Sequence, residues 1–489
     1  MACAAMSSRG ATALLFLAGL STVAGACASC VYQGPRSPSE QKDWLARLVA
    51  DKYKTLSAIS FSGGVFDDIP WTQTSYIQPQ MHPYDRYFYD PVQGNYTVSR
   101  YLADLTARYG GVDSILMWPT YTNIGIDDRN QFDYFRTMPG GLAGVAAATA
   151  ELNSAGVKVL WPYNPWDTGT RREVDASGAP CSDADTFATL LKQTGGHGFN
   201  GDTMGFVPSD FWKAAVERAY PLAFEPEGGG NDESLNWATM GWGYYSYPAV
   251  PEVNRYKFLT SGKFMTNVCD RWAQSKTDNL QSAWFNGEGY ESWENVWGTW
   301  NGITPRDGEA IRRVATMLRF FGSTGHLTSS EWEPHTSEAL QACISPASPS
   351  LYPSCISHLA SASLALQAGV YSSRWLAGGT RMWTLVNRAG RGLSGVQLAV
   401  PPVGAATSLL GNLARGGGDS RSRYYDCYSG AEIKASAVPP PPPPQKGFVE
   451  YLSLNCYGGH GGTEIDSDKT APVGLTVEQC QARCDATPT

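Results

Sequence analysis

The stretch WFNGEGYESWENVWGTWNG, Trp284 to Gly302, places four tryptophans and three glutamates in nineteen residues. Carboxyl groups beside aromatic rings suit the cleavage of a glycosidic bond. One carboxyl donates a proton to the leaving oxygen, and a second attacks or activates water from the other side. Flat apolar faces hold the sugar ring between them. Similar mixtures occur in WPYNPWD, GFNGDTMG and PLAFEPEG, so the carboxylates recur along the chain rather than in one loop.

These residues need elements that bring them together. From Thr55 to about Trp332 short apolar runs alternate with helical stretches. The strand candidates are LSAISFSG (Leu56–Gly63), DSILMWP (Asp113–Pro119), VKVLWPYNPWD (Val157–Asp167), GFNGDTMG (Gly198–Gly205), PLAFEPEG, GWGYYS, QSAWFNGEG and GHLTSSEWE. Helices are expected over Gly140–Gly156, DADTFATLLKQTG, PSDFWKAAVERAY and TPRDGEAIRRVATMLRFFG. In the last, Thr304 caps, Pro305 takes the first helical position and Gly322 stops the helix. Between the fifth and sixth strands PEGGGNDESLNW is no helix. The fold expected is α/β, a (β/α)8 TIM barrel over residues 27–366. After Gly369, VYSSRWLAGG, RMWTLVNR and GVQLAVP have β texture and predict a small all-β sandwich over 367–436. Pro439 to Pro444 lie in a polyproline linker, 437–446, which precedes a short disulfide-rich fragment, 447–489.

In such a barrel the chemistry sits at the C-terminal ends of the strands. The residues expected there are Asn164 and Asp167, Asn200 and Asp202, Glu225 and Glu227, Tyr244 and Tyr245, Asn286 and Glu288, and Glu331 and Glu333. Asp202 and Glu288 form the expected catalytic pair. Each follows an apolar run and a Gly, each has an Asn two residues earlier, and strands four and seven face each other across a barrel. Asp202 is expected as the ionised nucleophile. Glu288 is the acid, its pKa raised by nearby Trp side chains, with Glu291 and Glu294 as rivals in the same loop. Asp167, Trp166, Asn200, Glu225, Asn286, Trp293 and Glu331 are expected to hold the sugar. Trp293, Trp297 and Trp300 are at near-helical spacing, so they suit either one buried helix face or a stacking surface. Trp284 is expected in the barrel core.

Net charge is −8 with no Lys/Arg-rich run, which argues against a nucleic-acid partner. Aromatic residues are 12%, more than a core needs, which suits carbohydrate as the partner. Residues 1–26 carry Arg9, an apolar run and Ala24-Gly25-Ala26, a secretory leader. No later segment is long and apolar enough to insert in a membrane, so an extracellular or cell-surface protein is expected. Cleavage after Ala26 leaves ten of the 11 Cys, and Cys343 and Cys355 bracket a loop they could close. Asn95-Tyr96-Thr97 is a glycosylation sequence. There is no HExxH, GxSxG, Walker loop or GxGxxG, and no cofactor or metal is implied, although carboxylate-rich loops can hold calcium.

On GFNGDTM, WFNGEGYESWENVWG and MWTLVNR…YYDCYSG, the chain resembles secreted (β/α)8-barrel glycoside hydrolases with a C-terminal β-sandwich. The retaining α-galactosidase and α-fucosidase groups come closest. The resemblance implies a glycosidase with Asp202 at the place of a strand-four nucleophile. Those families carry the acid after strand five or six, so the roles of the two carboxylates stay open. NCYGG…GLTVEQCQARCDATPT resembles the start of an apple/PAN-type module, its Cys480 and Cys484 on one helical face; the match implies a truncated domain. The rival expectation is a catalytically inactive carbohydrate-binding or adhesion protein on the same scaffold, and a lyase or transglycosylase would share the site.

Overall fold

The computed structural model describes residues 30–119, 127–243, 247–269, 275–295, 303–336 and 369–390, with short pieces at 398, 424–427 and 430–433. Eight parallel strands form one sheet: β1 (Ile77–Met81), β2 (Ser114–Met117), β3 (Lys158–Tyr163), β4 (Gly198–Gly201), β5 (Ala223–Pro226), β6 (Met240–Gly243), β7 (Met265–Val268) and β8 (Gly289–Glu294). Hydrogen bonds link them in the order β5-β4-β3-β2-β1-β8-β7-β6. The end strands β5 and β6 lie side by side, so the sheet curls into a near-closed α/β barrel. Smaller antiparallel sheets are added to it.

Helices α1 (Gln41–Ala58), α2 (Val98–Tyr109), α3 (Gly141–Ser154), α4 (Asp183–Thr194), α5 (Ser209–Glu217), α6 (Arg255–Leu259), α7 (Thr277–Asn286) and α8 (Pro305–Ser323) carry the chain between and beyond the strands. Only a 3-10 turn, Glu233–Asn236, lies between β5 and β6, as PEGGGNDESLNW predicts. Outward strand residues such as Ile115, Met117, Val159, Trp161, Phe199, Phe224 and Tyr290 pack on Leu105, Leu152, Leu191, Phe211 and Ile311 of the helices. Burying side chains of this size stabilises by about 1.5–3 kcal/mol each.

Three of the expected strands need correction. Leu56–Ala58 is the last turn of α1, and the Ile59 N–H still bonds back to the Thr55 carbonyl. The true first strand, IQPQM, escapes an apolar-run search because Gln78 and Gln80 turn into the barrel. QSAWFNGEG is the end of α7, closed by Gly287 at φ 66°. An Asn-Gly that reads as a strand-end turn is here a left-handed helix terminus. The seventh strand is MTNV. GHLTSSEWE follows α8 and ends in β9 (Trp332–Glu333), which pairs antiparallel with β10 (Val370–Ala377). Trp332 and Trp375 stack across that pair with centroids 5.6 Å apart. β10 turns through Gly378 and Gly379, both at positive φ, into β11 (Thr380–Asn387), a two-residue hairpin connection. A further hairpin joins β12 (Tyr424–Asp426) and β13 (Ala431–Ile433). The rest of 391–489, including the polyproline and Cys-rich stretches, lies outside the described residues.

In α8, Thr304 Oγ1 accepts from the Asp307 N–H at 3.1 Å and Pro305 opens the helix. Gly322 does not stop it. The helix runs through Gly322, where glycine is needed because a side chain would overlap the Tyr76 hydroxyl, which is buried with no partner among the described residues. Gly322→Ala should therefore cost about 1–3 kcal/mol in thermal unfolding. Adding Tyr76→Phe should recover part of that loss; no recovery would locate the clash elsewhere.

Candidate functional site

A βα unit lifts the chain to the C-terminal rim along the strand and returns it to the N-terminal face along the helix. Residues just after a strand therefore stand at the rim, and residues just before one stand at the opposite face. This separates the predicted site residues into two groups.

Asp202 directly follows β4 at the rim and is half-buried; its N–H donates to the Tyr163 carbonyl at 2.9 Å. The next residue, Thr203, is left-handed at φ 58°, a costly conformation for a β-branched residue. Glu227, two residues past Glu225, holds it there: its Oε2 accepts from the Thr203 N–H at 2.6 Å. Asp167 lies past β3 but is committed to loop structure. Its Oδ2 accepts from the Gln131 N–H at 2.8 Å and its Oδ1 from Thr170 Oγ1 at 2.6 Å. Trp166 beside it is 49% exposed at the rim. Trp293 is buried in β8, in register with Gln80.

Glu225, in β5, sits inside the barrel with no solvent exposure. Asn267 Nδ2 from β7 donates to its Oε1 at 2.6 Å, and Asn200 Nδ2 from β4 to its Oε2 at 3.4 Å. The Gln78 amide from β1 satisfies all its neighbours when Nε2 faces both Glu225 oxygens, at 3.0 and 3.3 Å, and Oε1 accepts from Ser114 Oγ at 3.1 Å. Strands β1 and β7 are not neighbours of β5, so these contacts cross the lumen. Burial pushes the Glu225 pKa up to about 8, against the pull of bonds from Asn267, Asn200 and Gln78. A carboxyl that keeps its proton at pH 7 can act as a general acid.

The other residues of the expected site lie at the N-terminal face. Glu288 precedes β8 and is fully buried, so it is not a rim carboxylate. Asn286 ends α7, where its Nδ2 donates to the carbonyls of Glu252 and Ser282 at 3.0 and 3.1 Å and its Oδ1 accepts from the Asn254 N–H. Its role there is to hold the backbone. Glu331 follows α8 and lies outside the barrel strands, with its N–H on Ser329 Oγ. Trp284 is half-buried on α7, not in the barrel core. Around Glu288 lie Lys257, Asn254 and Thr266. Lys257 is fully buried, and its Nζ donates to the Gly262 carbonyl at 2.9 Å. Burial drives both groups toward their neutral forms, raising Glu288 and lowering Lys257, while each partly offsets the other.

Tyr244, Tyr245, Trp297, Trp300, Cys343 and Cys355 lie outside the described residues, and no disulfide joins two described cysteines. Asn95 is exposed. Among the described residues no cluster of three or more His, Cys, Asp or Glu is placed to hold a metal ion, and no helix is long and apolar enough to cross a membrane. Asn267 and Gln78 were missing from the expected site. Their only sequence signal is a polar residue inside a short apolar run.

No protein-family description matches the sequence, and no curated protein matches it. Among solved structures, the chain path is similar to a maltogenic amylase from S. marinus (9% identity, 74% of this chain and 65% of that one, TM-score 0.43). It is also similar to an alpha-amylase from Geobacillus thermoleovorans (13% identity, 65% and 88%, TM-score 0.40). A third is a noncanonic maltogenic alpha-amylase from Thermotoga neapolitana (10% identity, 64% and 86%, TM-score 0.38).

Two stability measurements follow from the buried carboxyls. Glu288→Gln removes the carboxyl that faces buried Lys257 and should cost about 1–3 kcal/mol, while Lys257→Met with Glu288→Leu should recover most of it. An unchanged melting temperature in Glu288→Gln would remove the pairing. The Glu225 pKa is raised from 4.5 to about 8 in the folded state. Its contribution is therefore fully present below about pH 4.5 and is lost as pH rises through about 8. Denaturant titrations across that window should show this loss in the parent and a flatter profile in Glu225→Gln.

Proposed function

We propose that the chain is a glycoside hydrolase acting on a poly- or oligosaccharide at the C-terminal rim of the barrel. Glu225 is the proton donor and Asp202 the ionised carboxylate on the other side of the scissile bond. One observation carries this reading: a buried carboxyl, held by three amides and pushed by burial toward its protonated form, sits on the strand next to the one that delivers Asp202. Asn200 and Glu225 are in register. Asp202, two residues further along β4, therefore has its backbone about 8 Å from that of Glu225. Two-carboxylate hydrolysis needs carboxyl groups roughly 5–9.5 Å apart, a range that side chains on backbones this close can reach. Trp166, Asn200 and Trp293 would contact or shape the sugar site, and Glu227 and Asp167 hold the loops that frame it. The leader over residues 1–26 and the exposed Asn95 support export as a glycoprotein.

The test is hydrolysis of a panel of aryl glycosides and of plant, algal and microbial polysaccharides. Glu225→Gln should lose roughly 10²–10⁴-fold in kcat/KM, and Asp202→Asn should lose activity while staying folded. Because the donor must be protonated, the parent's rate should fall as pH rises through about 8. Full activity in folded Glu225→Gln would overturn the assignment. One observation favours the rival binding protein, the exposed indole of Trp166 at the rim. That reading wins if the parent hydrolyses nothing but is retained on an immobilised glycan, with retention lost in Trp166→Ala.

A further inference from the structure

The lumen around Glu225 contains an imbalance that the proton-donor role alone does not explain. The amide oxygens Asn267 Oδ1 and Asn200 Oδ1 are both buried without a hydrogen-bond partner among the described residues. An orphaned buried acceptor is costly, and native interiors rarely keep one. Meanwhile a protonated Glu225 has an O–H that needs an acceptor, yet both its oxygens face N–H donors. The Asn267–Glu225 separation of 2.6 Å falls where O–H···O bonds are found and below the usual N–H···O range. Which end of an amide faces a neighbour is set by the hydrogen bonds it makes.

We propose that Asn267 is a positioning residue for Glu225 that serves both of its protonation states. Its Nδ2–H donates to the ionised carboxylate. Turned about its Cβ–Cγ bond, its Oδ1 accepts the O–H of the protonated carboxyl, which removes the orphaned oxygen. One side chain thus holds the carboxyl in place before and after the proton leaves. The fold leaves room for this amide. In-register residue 289 is glycine, and a Cβ at that position would overlap Asn267 Oδ1. The side chains that bond Glu225 are Gln78 from β1, Asn200 from β4 and Asn267 from β7. Glu291 of β8, in register with Gln78, is the other carboxyl on the inward side of this layer. Asn267 makes the shortest of the Glu225 contacts, so it dominates the choice between the two states.

This inference rests on Glu225 being the proton donor, so its test reads the carboxyl directly and not through turnover. The chain is labelled with ¹³C at the glutamate carboxyls, and the Glu225 resonance is identified by its absence in Glu225→Gln. Its titration midpoint is then compared in the parent, Asn267→Leu and Asn267→Asp. Leucine keeps the volume but makes neither bond, and the bond to the ionised carboxylate is the stronger of the two, so the acid dissociation constant should fall about fivefold to tenfold. Aspartate adds a neighbouring negative charge and should lower it further. Should the leucine variant fail to fold, the closer isostere Asn267→Asp decides alone. A midpoint that stays put in a folded variant, with only stability reduced, would overturn the positioning role. The rate profile reports separately. An inactive parent would sink the hydrolase reading while the titration still tests the pairing.

Discussion

The whole arrangement depends on a carboxyl group inside a barrel that would otherwise be packed with apolar side chains. Moving an ionised carboxylate out of water is costly. The lumen of this barrel answers with amides from β1, β4 and β7, none of them charged. Amides can stabilise a carboxylate but cannot neutralise it, so the proton stays on at neutral pH. A guanidinium in the same place would have driven the carboxyl the other way. Choosing Asn, Asn and Gln over Arg or Lys in the lumen is therefore a choice of protonation state.

That choice also sets what the strands look like. A barrel with an apolar lumen gives strands that are apolar on both faces; here Leu116, Leu160 and Met265 keep part of the inward face apolar, while Gln78, Gln80 and Asn267 make it polar in β1 and β7. IQPQM and MTNV are the outcome, and they resemble loops more than strands. β3, β4 and β5 were legible because VLWPY, GFNG and AFEP keep enough apolar character and end in polar residues. β1 and β7 were not, because the residues that make the site interesting are the ones that dilute the strand signal. GYESWE is masked in the same way by its two glutamates, so the neighbouring Asn-Gly of α7 carries the stronger strand-end signal and points to Glu288 as a rim carboxylate, although it precedes β8.

Glu288 shows how nearly identical local sequences can mean opposite things. FNGD at Phe199–Asp202 and FNGE at Phe285–Glu288 share an Asn-Gly before an acid. In the first the backbone is β4 up to Gly201, so the acid emerges at the rim. In the second Asn286 ends a helix and Gly287 turns left-handed, so the acid stands at the start of β8. The preceding ten residues decide between them, through the buried spacing of Leu280, Ala283 and Phe285. The two faces of the barrel then differ: Asp202 at the rim keeps partial exposure, and the N-terminal face buries Lys257 with Glu288.

The central claim is that Glu225 delivers the proton to the leaving group. It is tested most directly by comparing a sugar bearing a poor leaving group with the same sugar bearing 2,4-dinitrophenol, in the parent and in Glu225→Gln. Dinitrophenolate departs without protonation. Loss of activity on the poor leaving group, with activity on the dinitrophenyl glycoside largely kept, is the result this account predicts. Equal losses on both, or no loss on either, would contradict it.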